Sequence, residues 1–513
     1  MLIKKIKKLV ICRAVAFCMS ITATVSAVAP GLVISAKADD EVFNNRYFAS
    51  DRLPAEVDKN SLYRDLRNAL IGCNRTVDIS RYGIPAVRAL DILEFISYSI
   101  PESFHLDSIG YDARPDGSIA RLYFTYTCSP DEYKIKLAEC EAAADRLTAD
   151  LVGDDGLSDA EKALIIHDRI ATVCEYDYAG YLDYTQHGTP LAHDDFNIYG
   201  VLVNGSAVCE GYAMANIYLL SRLGIQSVFC RSSEIRHGWN IVWIDDVPYH
   251  VDITWDDAVW DIDGRVDHLY FLLSSAELER RRNENGASAG DYDTTPADER
   301  YDEYYWQDSS TAFQYVGGKL YYIDNADSTL VCVTDGFRVI DVIDSSWDAG
   351  EMSFWSGNFS RLASYGTRLY YSSADSIYSY DTADEIISLF YKPDLSGYSY
   401  FSIYGLAVSG KDLIYDIFDS PNFDSTTKQY YQYKVPFGID PEESEELAGD
   451  INGDGNVNTA DIVRLMKYIS GSSVTVFVPD VNGDGSISVS DIVRLMKHIA
   501  GYDVKLFASD PRG

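Results

Sequence analysis

The 513-residue sequence predicts a multidomain α+β protein, and three patterns carry that prediction. Helical spacing of apolar residues after Cys209 gives way to strand-period alternation on either side of Asp245-Asp246. Units ending Leu-Tyr-Tyr or Leu-Ile-Tyr recur after Gly317, Gly366 and Gly410, 49 and 44 positions apart. From Asp450 and again from Asp480, a loop followed by a helix repeats with a period of 30.

In chain order, the first segment reads as a targeting sequence. Lys4, Lys5, Lys7 and Lys8 precede a mostly apolar run from Leu9 to Val28, and Ala36-Lys37-Ala38 is a small-x-small cleavage site. Residues 1–38 are therefore expected to leave on secretion. No later apolar run is long enough to span a bilayer, so the mature chain is expected to carry no transmembrane anchor. The formal charge is −36, and removing the six basic residues of the leader, which holds no acid, makes it −42. That charge argues against nucleic acid or anionic membrane as a partner and suits an extracellular protein that binds cations.

Residues 42–150 mix helical patterns at 61–71, 86–100 and 131–151 with a strand pattern at 119–127, and they show no chemistry. They are expected to form a companion to the next domain, residues 151–280. There Ser158-Asp159-Ala160-Glu161 is a capping box that opens a helix to Val173. His167 and Asp168 lie on that helix and read as packing and surface residues.

The functional stretch runs from Asn204 to Asp257. Tyr212, Ala215, Leu219 and Leu223 follow Cys209 at helical spacing, and Gly224 stands where the helix should stop. Cys209 therefore falls in the first turn, where unpaired N–H groups and the helix dipole favour a thiolate. A thiolate nucleophile needs a base, and the base needs an orienting group. If Asp245-Asp246 is the turn of a hairpin, Ile244 faces Val247 and Trp239 faces Asp252. His237 then shares a sheet face with Asp252, at a diagonal spacing of roughly 7–8 Å between backbones. A slip of one residue would separate them. His250 is the competing base, since it too shares a strand face with Asp252.

The segments Cys209-Glu210-Gly211-Tyr212-Ala213, His237-Gly238-Trp239-Asn240 and His250-Val251-Asp252-Ile253-Thr254-Trp255-Asp256-Asp257 resemble the transglutaminase-like superfamily of cysteine peptidases, cross-linkers and peptide glycan-amidases. The likeness covers about residues 155–275. It implies a papain-like core with Cys209 as nucleophile, His237 as base and Asp252 as orienting carboxylate, acting on a peptide or protein substrate. Gly238 stands where the family often has alanine, and Ile253 where it often has proline.

Residues 281–310, with Arg280-Arg281-Arg282 at their start, read as a polar linker, and 311–440 as a β-repeat module. Three units are too few for a closed propeller of ~4–8 blades, so the expectation is an incomplete, propeller-like one. Its tyrosines read as strand fillers. The acidic run 441–448 is a second linker.

Residues 449–503 hold the tandem repeat. Asp450, Asn452, Asp454, Asn456 and Asp461 in the first copy, and Asp480, Asn482, Asp484, Ser486 and Asp491 in the second, place oxygen ligands at the positions an EF-hand calcium loop uses. Gly455 and Gly485 occupy the sharp turn. Two calcium ions are expected. The last ligand is aspartate instead of glutamate, and no helix precedes either loop. A loop plus one helix, in tandem, resembles a type I dockerin, an all-α calcium module that binds the cohesin of a cellulosome-like scaffold. Ile462, Leu465, Met466 and Ile469, with Ile492, Leu495, Met496 and Ile499, read as its core stripes. The resemblance implies cohesin contacts at Thr459, Ala460 and Lys467, or at Val489, Ser490 and Lys497.

With Cys12 and Cys18 in the leader, seven cysteines remain, an odd number that requires at least one free thiol in a secreted chain. The reading is a secreted cysteine-type acyl-transfer enzyme, a peptidase, attached to an extracellular complex. Two alternatives stay open at this level: a cross-linking transglutaminase, and a non-catalytic protein- or glycan-binding subunit.

Overall fold

A computed structural model of the chain describes residues 53–257, 262–286, 292, 295–343, 347, 357–394, 402–418, 430–437, 449, 451, 457, 459–470, 481–482, 487–502 and 504–506. The leader expected at residues 1–38 lies outside them. The chain divides into two compact units, Met1–Val435 and Pro436–Gly513. The architecture is mixed α and β with several open antiparallel sheets.

The first unit begins with helices Lys59–Ile71 and Ala89–Ser99 and a three-stranded sheet of Thr76–Asp78, Ile119–Tyr126 and Leu106–Ala113. Leu62, Leu66, Leu70, Ile92, Phe95, Ile96, Leu122 and Phe124 join these elements in one core. The helical pattern from residue 86 starts as a short 3-10 turn, Ala86–Arg88, and becomes α-helix at Ala89. Pro85 immediately before it holds an extended conformation. Helix Pro130–Thr148 follows, with Ser129 as its side-chain cap.

Helix Asp159–Val173 opens with the expected capping box, Ser158 and Glu161 satisfying each other's backbone N–H. Helix Cys209–Arg222 is buried from Cys209 to Leu220, so it is the central element and not an amphipathic surface helix. It packs on a four-stranded antiparallel sheet that runs in chain order through Ser227–Ser232, His237–Ile244, Val247–Val251 and Phe271–Leu273. The hairpin between its second and third strands turns at Asp245 and Asp246, with φ of 52° and 63°. Positive φ at both turn residues is the type I′ geometry that matches strand twist. The ladder pairs Ile244 with Val247 and ends with Asn240 opposite Val251.

Beyond residue 310 come three antiparallel meanders: a four-stranded sheet within 314–342, another within 362–391, and a three-stranded sheet within 402–436. Gly317, Gly366 and Gly410 each turn a hairpin at the same place in their sheet, with positive φ. Leu320, Tyr322 and Val331 of the first meander, with Trp306 and Phe313 ahead of it, share a core with Leu219, Leu220 and Phe271.

In the second unit, helices Thr459–Ile469 and Val489–Ile499 enclose Leu465, Ile492 and Leu495 together with loop residues Ile451 and Val481. Met466 and Met496 do not join this core as expected; they are 53% and 52% exposed. Each helix is only three turns long and packs on a single partner helix, so the buried stripe is narrow and the methionine at its border faces outward.

Among the described residues no helix is long and apolar enough to cross a membrane. The seven cysteines beyond residue 38 are all free thiols.

Candidate active site

Cys209 is the first residue of its helix, behind an extended Val208, and no side chain caps that turn. Two contacts fix the turn in place. Val208 N–H donates to the Asp195 carbonyl at 2.9 Å. A side chain at Gly211 would bring Cβ to 2.6 Å from that same Asp195 oxygen, so only glycine lets the helix start so close to the loop. The glycine of the Cys-Glu-Gly-Tyr run is thus a matter of close approach.

Asn240 ties this helix to the neighbouring strand. Its side-chain amide donates to the Ala213 carbonyl at 3.0 Å and its oxygen accepts from Asn216 at 3.0 Å, all within the interior. His237, three residues earlier on the strand, is thereby brought to the start of the Cys209 helix. Gly238 also gains a reason: a methyl there would land 2.4 Å from the Phe229 ring, which stacks on Tyr98 at 4.2 Å. An alanine at this position would have to displace that ring.

The hairpin register delivers the rest. His237 Nε2 lies 2.7 Å from Asp252 Oδ2. With Nε2 so engaged, Nδ1 is the nitrogen left for the thiol. Burial pulls the imidazole pKa down, but the Asp252 charge and hydrogen bond, joined by a hydrogen bond and charge from Cys209, raise it to about 9. Asp252 is opposed in sign. Burial pushes its carboxyl up, while His237, Arg282 and Thr254 together hold it at about 2. Thr254 Oγ1 donates to Asp252 Oδ1 at 2.8 Å and Arg282 Nη2 donates to Oδ2 at 2.6 Å.

His250 does not meet Asp252 by hydrogen bond. Its Nδ1 accepts from Trp239 Nε1 at 2.9 Å, which leaves the proton on Nε2 to donate to Ser275 Oγ at 2.9 Å. Burial, then the neighbouring Arg282 charge, push its pKa down to about 3. A ring held neutral between two side chains is no base for Cys209.

A second cluster was not expected. His167 and Asp168, read from sequence as packing and surface, are fully buried and belong to a polar chain with Asp256 and His268. His167 meets Asp168 Oδ1 at 2.8 Å and Asp256 Oδ2 at 3.2 Å; His268 meets Asp168 Oδ1 at 2.9 Å and the Ser309 carbonyl at 3.0 Å. Burial pushes both carboxyls up: at Asp256 it prevails and raises the pKa to about 6, while at Asp168 the two rings outweigh it and hold the carboxyl below its ordinary value. Backbone N–H groups of Phe313 and Tyr270 complete the carboxylates. Among the described residues His167, Asp168 and His268 alone are grouped closely enough to hold a metal ion. Their separations are those of hydrogen bonds, and each ring nitrogen already has a partner. The cluster ties helix Asp159–Val173 and the segment after Asp252 to the chain entering the first meander.

Of the calcium-loop candidates, Asp450, Asn452, Asp454, Asn456, Asp480, Asp484 and Ser486 lie outside the described residues. Asp461 and Asp491 are described, and both are fully buried at equivalent places. Asp461 accepts from Ile451 N–H at 2.7 Å and Asp491 from Asn482 N–H at 3.1 Å, so each carboxylate turns back toward its own loop. A buried carboxylate facing an acidic loop fits a hard divalent cation.

Sequence reasoning missed Arg282, placed at the edge of a polar linker, and the partners of His167. Residues 275–284 form a helix capped by Ser274. A Ser-x-x-Glu pattern at Ser274 and Glu277 was the signal that could have found that helix.

Comparison with known proteins places one region firmly. Residues 448–500 match the family model described as Dockerin type I domain, so the C-terminal segment carries a type I dockerin. A "Cellulose 1,4-beta-cellobiosidase" of Acetivibrio thermocellus is 51% identical over 41 residues, 8% of this chain and 5% of its own length. The chain thus spans about a twentieth of that relative. A solved structure titled "Crystal structure of a TGase" aligns over 28% of this chain and 44% of its own at 13% identity, with a TM-score of 0.20. A structure from Parabacteroides distasonis, titled provisionally as a protease, aligns over 28% and 32% at 16% identity, with a TM-score of 0.16.

Proposed function

We propose that this protein is a secreted cysteine peptidase of transglutaminase-like kind, carried by its dockerin into a cohesin-bearing, cellulosome-like complex. The observation that carries the enzymatic part is the placement of His237, with Nε2 2.7 Å from buried Asp252 and Cys209 hydrogen-bonded to the same ring. A raised imidazole beside a thiol at an uncapped helix start supplies the base and the nucleophile that thiol chemistry needs.

The residues divide the work as follows. The Cys209 thiolate attacks the carbonyl carbon of an amide, and the first-turn N–H groups of its helix stabilise the developing oxyanion. His237 gives its proton to the leaving nitrogen as the C–N bond breaks, leaving a thioester on Cys209. Water then attacks, His237 takes its proton, and the acid and the thiol are released. Asp252 keeps the ring turned toward the sulfur throughout. The β meanders are read as an incomplete propeller beside this domain.

In the dockerin, Asp461 and Asp491, with the loop residues of each repeat, would hold two calcium ions. Calcium supplies positive charge that neutralises the loop carboxylates and fixes the loops. Thr459, Ala460 and Lys467, or Val489, Ser490 and Lys497, are the proposed cohesin contacts. Secretion rests on the basic and apolar composition of residues 1–38.

Iodoacetamide labelling at pH 6, read by mass spectrometry, tests the thiol without a known substrate. Cys209 is expected to react fastest of the seven thiols and to slow in His237→Ala. Equal labelling of Cys209, Cys73 and Cys332 would sink the enzymatic reading and leave the binding-subunit alternative. Product analysis with and without an added amine then separates hydrolysis, the expected outcome, from cross-linking. For the dockerin, calorimetry is expected to find cohesin binding lost in chelator and restored by calcium.

A further inference from the structure

Three consecutive arginines end the helix Ser275–Glu284, and they have different surroundings. Arg280 is exposed and paired with Glu277 and Glu284. Arg281 pairs with Glu277 and bonds the Asp302 carbonyl and Gln307. Arg282 is wholly buried. Its guanidinium lies 4.2 Å from the Trp239 ring and 5.3 Å from the Trp255 ring, and Nη2 donates to Asp252 Oδ2 at 2.6 Å. Its Nε and Nη1 have no hydrogen-bond partner among the described residues.

A buried cation with two unbonded donors is costly, and an apolar side chain of like volume would pack there without that cost. Its one hydrogen bond to the described chain goes to the oxygen that also takes His237. We infer that Arg282 is a fourth, positioning member of the catalytic group, holding Asp252 ionised and fixed while His237 gains and loses its proton.

This rests on the peptidase reading above, and it follows from charge counting. Without Arg282, neutral His237 would leave Asp252 as an unpaired anion in the interior, so the ring would hold its proton too tightly to hand it on. With Arg282, whose charge is permanent, the carboxylate stays paired in both states of the ring. The same charge makes the imidazolium a better acid toward the leaving nitrogen. The guanidinium also lies within cation–π distance of both indole rings, which favours a positive charge there. The other groups facing this pair are Cys209, His250, Tyr176 and Tyr270. His250 is neutral, and burial raises both tyrosines, so none of these three replaces the lost positive charge.

The test is the pH profile of Cys209 alkylation in the full chain, for wild type, Arg282→Met, Arg282→Gln and Arg282→Lys, with circular dichroism reporting the fold. In wild type the alkaline step marks loss of the His237 proton. Both neutral variants are expected to move that step upward by at least one pH unit, and Arg282→Lys to leave it within a few tenths. On any accepted peptide, the neutral variants should lower kcat by tenfold or more with little change in KM. Selective labelling with an alkaline step unmoved in a folded neutral variant overturns the inference and leaves the peptidase reading standing. Unselective wild-type labelling overturns both. If Arg282→Met and Arg282→Gln fail to fold while Arg282→Lys folds with a wild-type profile, Arg282 is a structural residue and the inference is equally overturned.

Discussion

Asp252 and Asp256 are four positions apart in the chain and anchor two buried acid–imidazole clusters of different character. Around Asp252, the ring of His237 keeps 12% of its side-chain surface exposed and one nitrogen turned from the acid, with a thiol beside it. Around Asp256, His167, Asp168 and His268 are sealed, and every ring nitrogen ends on an oxygen of the protein. The chemical groups are nearly the same. What separates a candidate catalytic site from structural glue is a nucleophile within reach and a nitrogen that substrate can use.

Substitutions should divide along that line. The largest effect is expected from Cys209→Ala, which removes the nucleophile and should bring turnover of any accepted peptide to background while the protein melts as before. Asp252→Asn should cut turnover by about 10²–10⁴-fold, because the ring loses the partner that orients it and holds its charge. His167→Ala should do the reverse. It removes the ring that joins two buried carboxyls, leaving Asp168 with His268 and the Phe313 N–H and Asp256 with the Tyr270 N–H, and should cost about 3–5 kcal/mol in urea unfolding, while the protein that remains folded still labels at Cys209. A His167→Ala protein of full stability and poor labelling would break the comparison.

A pH titration sharpens it. Burial lowers the His167 pKa, but the hydrogen bonds and charges of Asp168 and Asp256 raise it to about 9. His237 is raised to the same value. For a group raised above its unfolded value of 6.5, the stabilisation is complete below pH 6.5 and fades as pH climbs through about 9. Wild-type stability should therefore fall between those limits, and the fall should shrink in His167→Gln. Removing the Thr254 hydroxyl is the smallest change. It takes one hydrogen bond from an ionised acceptor, so Thr254→Val should slow turnover by roughly tenfold with little change in melting.

Much of the site is legible in the sequence. The capping box at Ser158, the helix beginning at Cys209 and the hairpin about Asp245-Asp246 each depend on contacts within a few residues, and local chemistry sets those. The His237–Asp252 meeting can be derived because a strand has a strict period of two, so one turn position sets every pairing along the hairpin. The dockerin segment is readable for a similar reason, since the candidate ligands of each loop lie within twelve positions. The narrow core of that module is less so: the stripe at Ile462, Leu465 and Met466 looks continuous until the single partner helix covers only part of it.

Arg282, His268 and Asn240 show where such reading stops. A run of three arginines looks like solvated chain, and nothing in their order says that the third is buried between Trp239 and Trp255. His167 lies 89 positions from Asp256, and Asp168 lies 145 from Phe313. The sequence alone determined the elements and the short-range pairings, because those follow from backbone periodicity and neighbouring side chains. Only the tertiary structure decided which charges lost their water and whom they met there, because burial is a property of everything packed around a residue and not of the residues beside it in the chain.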